Sequence, residues 1–377
     1  MSDSPPKNRL LLTLIYEIKL KFNQVILWFS IKLGFIREII IVPFNGFGNS
    51  SEIYLVGRVL KNNRVTKSNP EDSVWSNVKK MIRRFRTVII PGAKVQASID
   101  GENYVVETNE EGYFELTIKG DFQLQKEQSW LSVRFTLLDQ ILKNQGVVSA
   151  EAKVFIPSKN ASVGVISDID DTIIPTGATR LLEMLKTTFA KNAYSRVPFP
   201  GISELYSDLR RGASWQDNNP FFYVSSSPWN LFDFLMELLD IHRIPFGPLM
   251  LRDIGLSRSE LISGSHRAHK MQQIRHIIRV SDPLPFLLIG DSGQEDPEIY
   301  LQIVREFPSR ILMVFIRDVD DSRLDYVSTI TQEMAKLGVD LRFGKDVQKA
   351  REVLIRHRLL PDLIEQKRDQ FCSSERI

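Results

Sequence analysis

The spacing of apolar and polar residues changes character twice along the chain. From Leu10 to Ile41 the residues are mostly apolar, but Glu17, Lys19, Lys21 and Lys32 break the run before it is long enough to span a bilayer. No short apolar core followed by a small-residue cleavage site is visible there. Thr13, Glu17, Lys21 and Gln24 recur at helical spacing, which predicts an amphipathic helix over residues 1–38 with a narrow polar stripe. Such a helix lies either in a membrane interface or against the protein's own β domain.

The period then shortens. "EIYLVGRVL" (52–60), "AKVQASI" (93–99), "NYVVET" (103–108), "GYFELTI" (112–118), "SWLSVRFTLL" (129–138) and "VVSAEAKVFI" (147–156) read as short strands, several of them alternating. Asp100-Gly101 predicts a tight hairpin between two of them. These segments predict a β-sandwich over residues 39–160, closed by the polar link "PSKNAS". Between the first two strands "VWSNVKKMIRRFRT" predicts a helix, with Lys79, Lys80, Arg83, Arg84 and Arg86 on it and Trp75, Met81, Ile82 and Phe85 interleaved. Two readings stand: a solvated face, or a patch that attracts anionic headgroups. "GFGNS" at Gly46 lacks the strand-to-helix context of a nucleotide fingerprint and reads as a turn.

From Val163 onward, continuous apolar strands alternate with helical patterns. "VGVIS", "PFFYVSSS", "PFLLIGDSG" and "RILMVFIRD" are the strands; "NLFDFLMELLDIH" and "AHKMQQIRHIIRV" are two of the helices. This predicts an α/β domain over 161–345, a parallel sheet covered on both faces, with a helix and tail over 346–377. Ligands of such sheets sit at the carboxyl ends of the strands. Here those ends carry Asp168, Ser225, Asp291 and Asp318.

Composition narrows the field without naming a function. The 377 residues are 43% hydrophobic and 25% charged, as in a globular chain of more than one domain. A net charge of +3 is too small to imply nucleic-acid binding. The sole cysteine, Cys372, allows no disulfide within the chain, which points to a reducing cytoplasmic location, with peripheral membrane attachment through the N-terminal helix as an option.

The chemistry gathers at "VGVISDIDDTIIPTG". Four oxygen-bearing side chains, Asp168, Asp170, Asp171 and Thr172, follow one apolar strand, and carboxylates this close need neutralising. Mg²⁺ suits such a site because it takes hard oxygen ligands from one or two carboxylates, substrate and water. With a cation present, Asp168 is placed to attack a phosphoryl group and form an aspartyl-phosphate. Asp170, two residues on, is placed to protonate the leaving oxygen and later to deprotonate water. Asp171 reads as a residue that tightens the loop. Thr172 is expected to hydrogen-bond in the turn and orient Asp170.

These residues resemble the first motif, D-x-D-x-T, of the haloacid dehalogenase-like phosphatases. The resemblance implies a Rossmannoid parallel sheet of that superfamily and assigns further roles in chain order. Ser225, with Ser226 as the alternative, would bind phosphate oxygens alongside Thr172. Lys270, in competition with Arg252 and Arg267, would offset charge in the transition state. Asp291 would complete a metal site with Asp168 and the Asp170 carbonyl, joined by Asp296 or, at the neighbouring position, Glu295. "DIDDT", "FYVSSSPWNL", "FGPLMLRDIG" and "LIGDSGQEDPEIY" are also similar to the Mg²⁺-dependent phosphatidate phosphatase family, and "GRVL", "IRRF", "PGAKV" and "TNEEGYF" extend that likeness to roughly residues 40–345. What it implies is hydrolysis of phosphatidate to diacylglycerol and phosphate at a membrane surface. A soluble phosphomonoester is the alternative substrate, and a membrane scaffold with a vestigial phosphatase fold is the alternative class.

Two further features are weighed and set aside. His266, His269 and His276 form too loose a pattern for zinc, with Cys372 remote. The segment 177–201 reads either as a lid over the site or as part of the core.

Overall fold

The strand β3 (Glu52–Lys61) organises the N-terminal part of the molecule. Along one edge it pairs with β6 (Tyr113–Lys119). Its other edge is long enough to serve two short strands in turn, β2 (Gly46–Gly48) near its start and β1 (Ile39–Pro43) near its end. A strand with neighbours on both sides has no solvent face to spare, and seven consecutive residues of β3, Ile53 to Val59, are buried. The path continues from β2 through β8 (Ser149–Phe155), β7 (Trp130–Leu137), β4 (Lys94–Ile99) and β5 (Glu102–Glu107). The β2–β8 pair is parallel and the other pairs are antiparallel, so the sheet is mixed. In place of two hydrogen-bonded sheets there is one eight-stranded sheet, curled so that β1 faces β8 and β5 approaches β6.

This computed structural model describes residues 6–85, 87–122, 129–175, 193–252, 266–345 and 347–361. The chain divides into two units: Met1–Ile156 with Ser226–Phe234 and Leu251–Gln272, and Pro157–Ser225 with Leu235–Met250 and Gln273–Ile377. Residues 177–192 of the expected lid, Arg86 and Cys372 lie outside the described residues.

In the first unit the alternation read from the sequence is visible as burial. On β7, Val133, Phe135 and Leu137 are buried while Ser132 and Arg134 are exposed; on β4, Val95, Ala97 and Ile99 point inward. They join Ile39, Ile41, Leu55, Val59, Phe114 and Val154 in one core. The hairpin at Asp100-Gly101 has positive φ at both residues, 48° and 85°, as a two-residue type I′ turn requires. "GFGNS" differs from its reading as a turn. Gly46–Gly48 is strand β2, and the turn begins only at Asn49, whose side-chain oxygen accepts from the Ser51 and Glu52 amides. Any Cβ on Gly46 or Gly48 would meet the carbonyl of Tyr54 or Glu52 at 2.4 Å, so the glycines allow this close pairing.

Helix α1 (Pro6–Lys32) docks on the same core. Tyr16, Leu20, Asn23, Leu27 and Ile31 recur at helical spacing on its inward side; Leu27 and Ile31 pack on the cluster, and the Tyr16 hydroxyl donates to Glu110. Helix α2 (Val74–Phe85) buries Asn77, Met81 and Arg84.

The second unit carries most of a six-stranded parallel sheet in the order β11-β10-β9-β12-β13-β14, the ends of β10 and β11 and the starts of the helices that follow them being counted with the first unit. Its strands are β9 (Gly164–Ser167), β10 (Phe221–Pro228), β11 (Leu249–Arg252), β12 (Phe286–Asp291), β13 (Ile311–Arg317) and β14 (Asp340–Gly344). The edge strands β11 and β14 carry no strong alternation and were not distinguished in the sequence. Helices α3 (Ile202–Arg211), α4 (Phe232–Ile241), α5 (His266–Val280), α6 (Asp296–Glu306), α7 (Leu324–Lys336) and α8 (Val347–Arg356) alternate with them. From β9 the chain moves one way to β10 and β11, then returns to the opposite side of β9 for β12, β13 and β14. The order therefore reverses between β9 and β12, and in sheets of this kind the carboxyl ends of the strands at such a reversal are where ligands bind.

Candidate active site

Asp168 leaves the end of β9, and its amide donates to the Ile289 carbonyl of β12 at 2.9 Å. The next six residues turn back on themselves. Ile169, Ile173 and Ile174 are fully buried, and the Ile173 amide returns to the Ile169 carbonyl at 2.9 Å. Three isoleucines thus anchor a loop that carries Asp168, Asp170, Asp171 and Thr172 at the end of β9. Asp171 takes a left-handed φ of 58° and its amide donates to Ile174 at 2.8 Å, which fits a residue that tightens the turn. Arg317, from the end of β13, donates Nε to the Thr172 carbonyl at 3.1 Å while its guanidinium lies 4.1 Å from the centre of the Phe199 ring.

Asp291 closes β12. Its Oδ1 accepts from the amides of Gly293 at 2.7 Å and Gln294 at 3.0 Å, which fixes the carboxylate over the loop that follows. Asp296 opens α6, and its Oδ2 accepts from the Asp291 amide at 3.2 Å. The approach depends on Gly290, where a Cβ would stand 2.4 Å from that same oxygen. Asp168, Asp291 and Asp296 are all buried, and they offer one carboxylate oxygen each within 4.8 Å of one another.

Carboxylate oxygens gathered this closely form a hard donor set, and a hard divalent cation is the ligand their chemistry fits. Their field is felt nearby: burial first, then Asp296, Asp168 and Asp291, push the Tyr300 phenol well above its ordinary pKa. Glu295, the alternative to Asp296, is exposed at the helix start and stands outside the cluster.

Asp170 is placed differently. Its carboxylate, half-buried, accepts from the Ser225 hydroxyl at 2.9 Å. Thr172 turns its hydroxyl to Asp168 at 3.5 Å, so the hydrogen bond that orients Asp170 comes from Ser225. Ser226 and Lys270 belong to the first unit; Lys270 is buried on α5 and Ser226 is half-buried. Arg252 and His266, also of the first unit, are hydrogen-bonded to each other. Burial first, and then Arg252, His266 and Lys270, lower His269 to about 4. Asp318 is ion-paired to Lys345 at 3.5 Å.

The sequence reading missed two arginines. Arg196 is buried in the second unit; burial lowers it to about 10, and the Asp170 carboxylate acts against that fall. Arg317 is the loop pin already described. Neither lies in a motif. The only signal for Arg317 was its place at the end of an apolar strand, and the stretch around Arg196, "SRVPFPG", reads as an ordinary loop.

Comparison with known proteins bears on this geometry. The family described as the catalytic domain of phosphatidate phosphatase APP1 matches residues 163–318. The yeast phosphatidate phosphatase APP1 of Saccharomyces cerevisiae is 34% identical over 167 residues, 44% of this chain and 27% of that protein. An uncharacterized protein of Schizosaccharomyces pombe is 29% identical over 224 residues, 57% of this chain and 34% of the relative. The chain thus spans about a third or less of the length of these relatives. Among solved structures, a carbohydrate acetylesterase from Xanthomonas citri aligns with a TM-score of 0.28 at 11% identity, covering 79% of this chain and 66% of that one, too low to carry an argument. Residues 163–318, which hold the acid cluster and the Ser225–Asp170 pair, are thus similar to the catalytic domain of the APP1 phosphatidate phosphatases.

Proposed function

We propose that the protein is a Mg²⁺-dependent phosphatidate phosphatase, a haloacid dehalogenase-like enzyme that releases phosphate and diacylglycerol through an aspartyl-phosphate. The observation that carries the reading is the grouping of Asp168, Asp291 and Asp296 at the point where the strand order reverses. In this reading the helix (1–38) and the sandwich-like β domain (39–160) accompany a catalytic domain (161–345) and a C-terminal tail (346–377).

Asp168 attacks phosphorus in line with the leaving oxygen; the new bond joins its carboxylate to the phosphoryl group as the ester P–O bond breaks. Asp170 gives its proton to the departing alkoxide, which leaves as the hydroxyl of diacylglycerol. It then takes a proton from the water that hydrolyses the aspartyl-phosphate. Ser225, which holds Asp170 through its hydroxyl, also faces the phosphoryl oxygens, with Ser226 as alternate and Thr172 beside Asp168. Arg196 supplies positive charge to the transferring group, a part that the family resemblance gives to Lys270. When bound by Asp168, Asp291, Asp296 and the Asp170 carbonyl, Mg²⁺ supplies the charge that lets an anionic carboxylate meet an anionic ester.

The test is phosphate release from phosphatidate in mixed micelles, beside sugar and nucleotide monophosphates, with and without a chelator. Turnover of the lipid that needs Mg²⁺ and falls by about 10²–10⁴-fold in Asp170→Asn is expected. Hydrolysis confined to the soluble esters would keep the mechanism and discard the lipid. Full activity in Asp168→Asn would discard the mechanism.

A further inference from the structure

The inward side of α1 is covered by the β core, and its opposite side is apolar as well. Phe22, Trp28 and Phe29 are 50–63% exposed there, and Phe35, just past the helix end, is 63% exposed. Single exposed apolar residues are ordinary on a protein surface; four large aromatics on one helix and its exit are not. Lys32 sits with its ammonium 4.4 Å from the centre of the Trp28 ring, and Lys21 is exposed on the same helix. Aromatic bodies interleaved with long basic side chains suit the boundary between headgroups and acyl chains. Among the described residues no helix is long and apolar enough to cross a membrane.

Beside Phe35 opens a recess of about 470 Å³. Arg37, Lys61, Arg64 and Arg83 line it against a single carboxylate, Glu38. Glu38 accepts from the Asn62 side-chain amide at 2.9 Å and pairs with Arg64 at 3.9 Å. Arg37, Lys61 and Arg83 have no carboxylate at ion-pair distance among the described residues. Ile82, 40% exposed, borders the same recess from α2, whose outward face also presents Trp75 and Lys79. The recess is therefore basic within and apolar at its rim, and it is continuous with the exposed side of α1 at Phe35.

We propose that this face of the first unit docks on an anionic phospholipid bilayer, the aromatics of α1 seated at the acyl boundary and the recess holding a headgroup phosphate. Charge complementarity selects this occupant. In a symmetric pairing of two copies the basic recess would be brought against its own kind, whereas an anionic leaflet neutralises it. The docking is separate from the chemistry at Asp168 and stands or falls without it.

Sedimentation of the full chain with phosphatidylcholine vesicles, with and without phosphatidylserine, tests the proposal; phosphatidylserine is a phosphodiester, so turnover does not alter the vesicles. Binding should need phosphatidylserine and weaken with salt. The double changes Phe22→Ser with Trp28→Ser, and Arg37→Glu with Arg83→Glu, should each weaken it by about 10-fold or more, with circular dichroism and the thermal midpoint unchanged because these side chains are exposed. The proposal is overturned if the wild type stays in the supernatant, if either folded variant sediments as the wild type does, or if the aromatic change dissolves a dimer and leaves vesicle binding intact.

Discussion

The curled β sheet and the parallel-sheet unit bury charged groups in opposite ways. Around the β sheet, a buried arginine is answered on the spot. Arg58 donates to the Glu111 carbonyl at 3.1 Å and stacks 4.2 Å from the Tyr113 ring; Arg84 grips Asp233 through three contacts of 2.8–3.1 Å. In the parallel-sheet unit, Asp168, Asp291 and Asp296 share one spot and one sign. The first arrangement is what a fold needs for its own stability, since a buried charge without a partner is costly. The second works against stability, and in the proposed reading it is the part of the molecule that takes a cation and an anionic substrate.

The sharpest way to break this comparison is Asp291→Asn. The amide keeps an oxygen for the Gly293 and Gln294 amides but removes one of three like charges. Phosphate release should fall by at least about 100-fold, as expected when a metal ligand is altered. The thermal midpoint measured in chelator should hold or rise, because repulsion among the acids is relieved. An active variant, or one that unfolds earlier in chelator, would mean that the acids support the fold and not the chemistry.

Gly290→Ala probes the same cluster from its backbone. The added methyl meets Asp296 Oδ2 at 2.4 Å and Asp296 Cβ at 2.8 Å, so the α6 start must move and not just one flexible end. Activity at fixed Mg²⁺ should drop by about 10-fold, partly recovered by raising Mg²⁺, as for a displaced ligand. Stability should fall by about 1–3 kcal/mol from overpacking. A magnesium titration superimposable on the wild type would show that Asp296 does not belong to the donor set.

Much of the candidate site could be read from the sequence because its parts lie at strand ends. Asp168 and Asp291 follow apolar runs that can only be buried parallel strands, and strand ends point to one crevice. The choice between Asp296 and Glu295 could not be read. It turns on the first turn of α6, where a one-residue step moves a side chain by about 100° around the axis. Arg196 was invisible for another reason: its nearness to Asp170 arises from a loop packed across the fold, with no local pattern to announce it. In the β region, strand positions followed from alternation, but the single curled sheet did not, because nothing in β3 itself says that one edge will serve both β1 and β2.

The basic run on α2 is divided by the fold, with Lys79 and Arg83 exposed and Lys80 and Arg84 paired, and it supplies the mildest test. Read by eye, "VKKMIRRF" offers its cations to solvent. In the structure Lys80 binds Asp72 at 2.6 Å and Arg84 is buried against Asp233, while Ile82 and Phe85 are left exposed. Arg84→Met keeps an unbranched apolar stem in the same space but loses the paired hydrogen bonds to Asp233. That carboxylate is 54% exposed, so water takes over much of the lost contact. The expected cost is therefore at the low end for charged hydrogen bonds, about 1–2 kcal/mol in urea unfolding, with turnover of a soluble ester unchanged. A drop in turnover larger than the drop in stability would place Arg84 in the proposed chemistry, and the division between charges that hold the fold and charges assigned to the proposed reaction would fail where it looks cleanest.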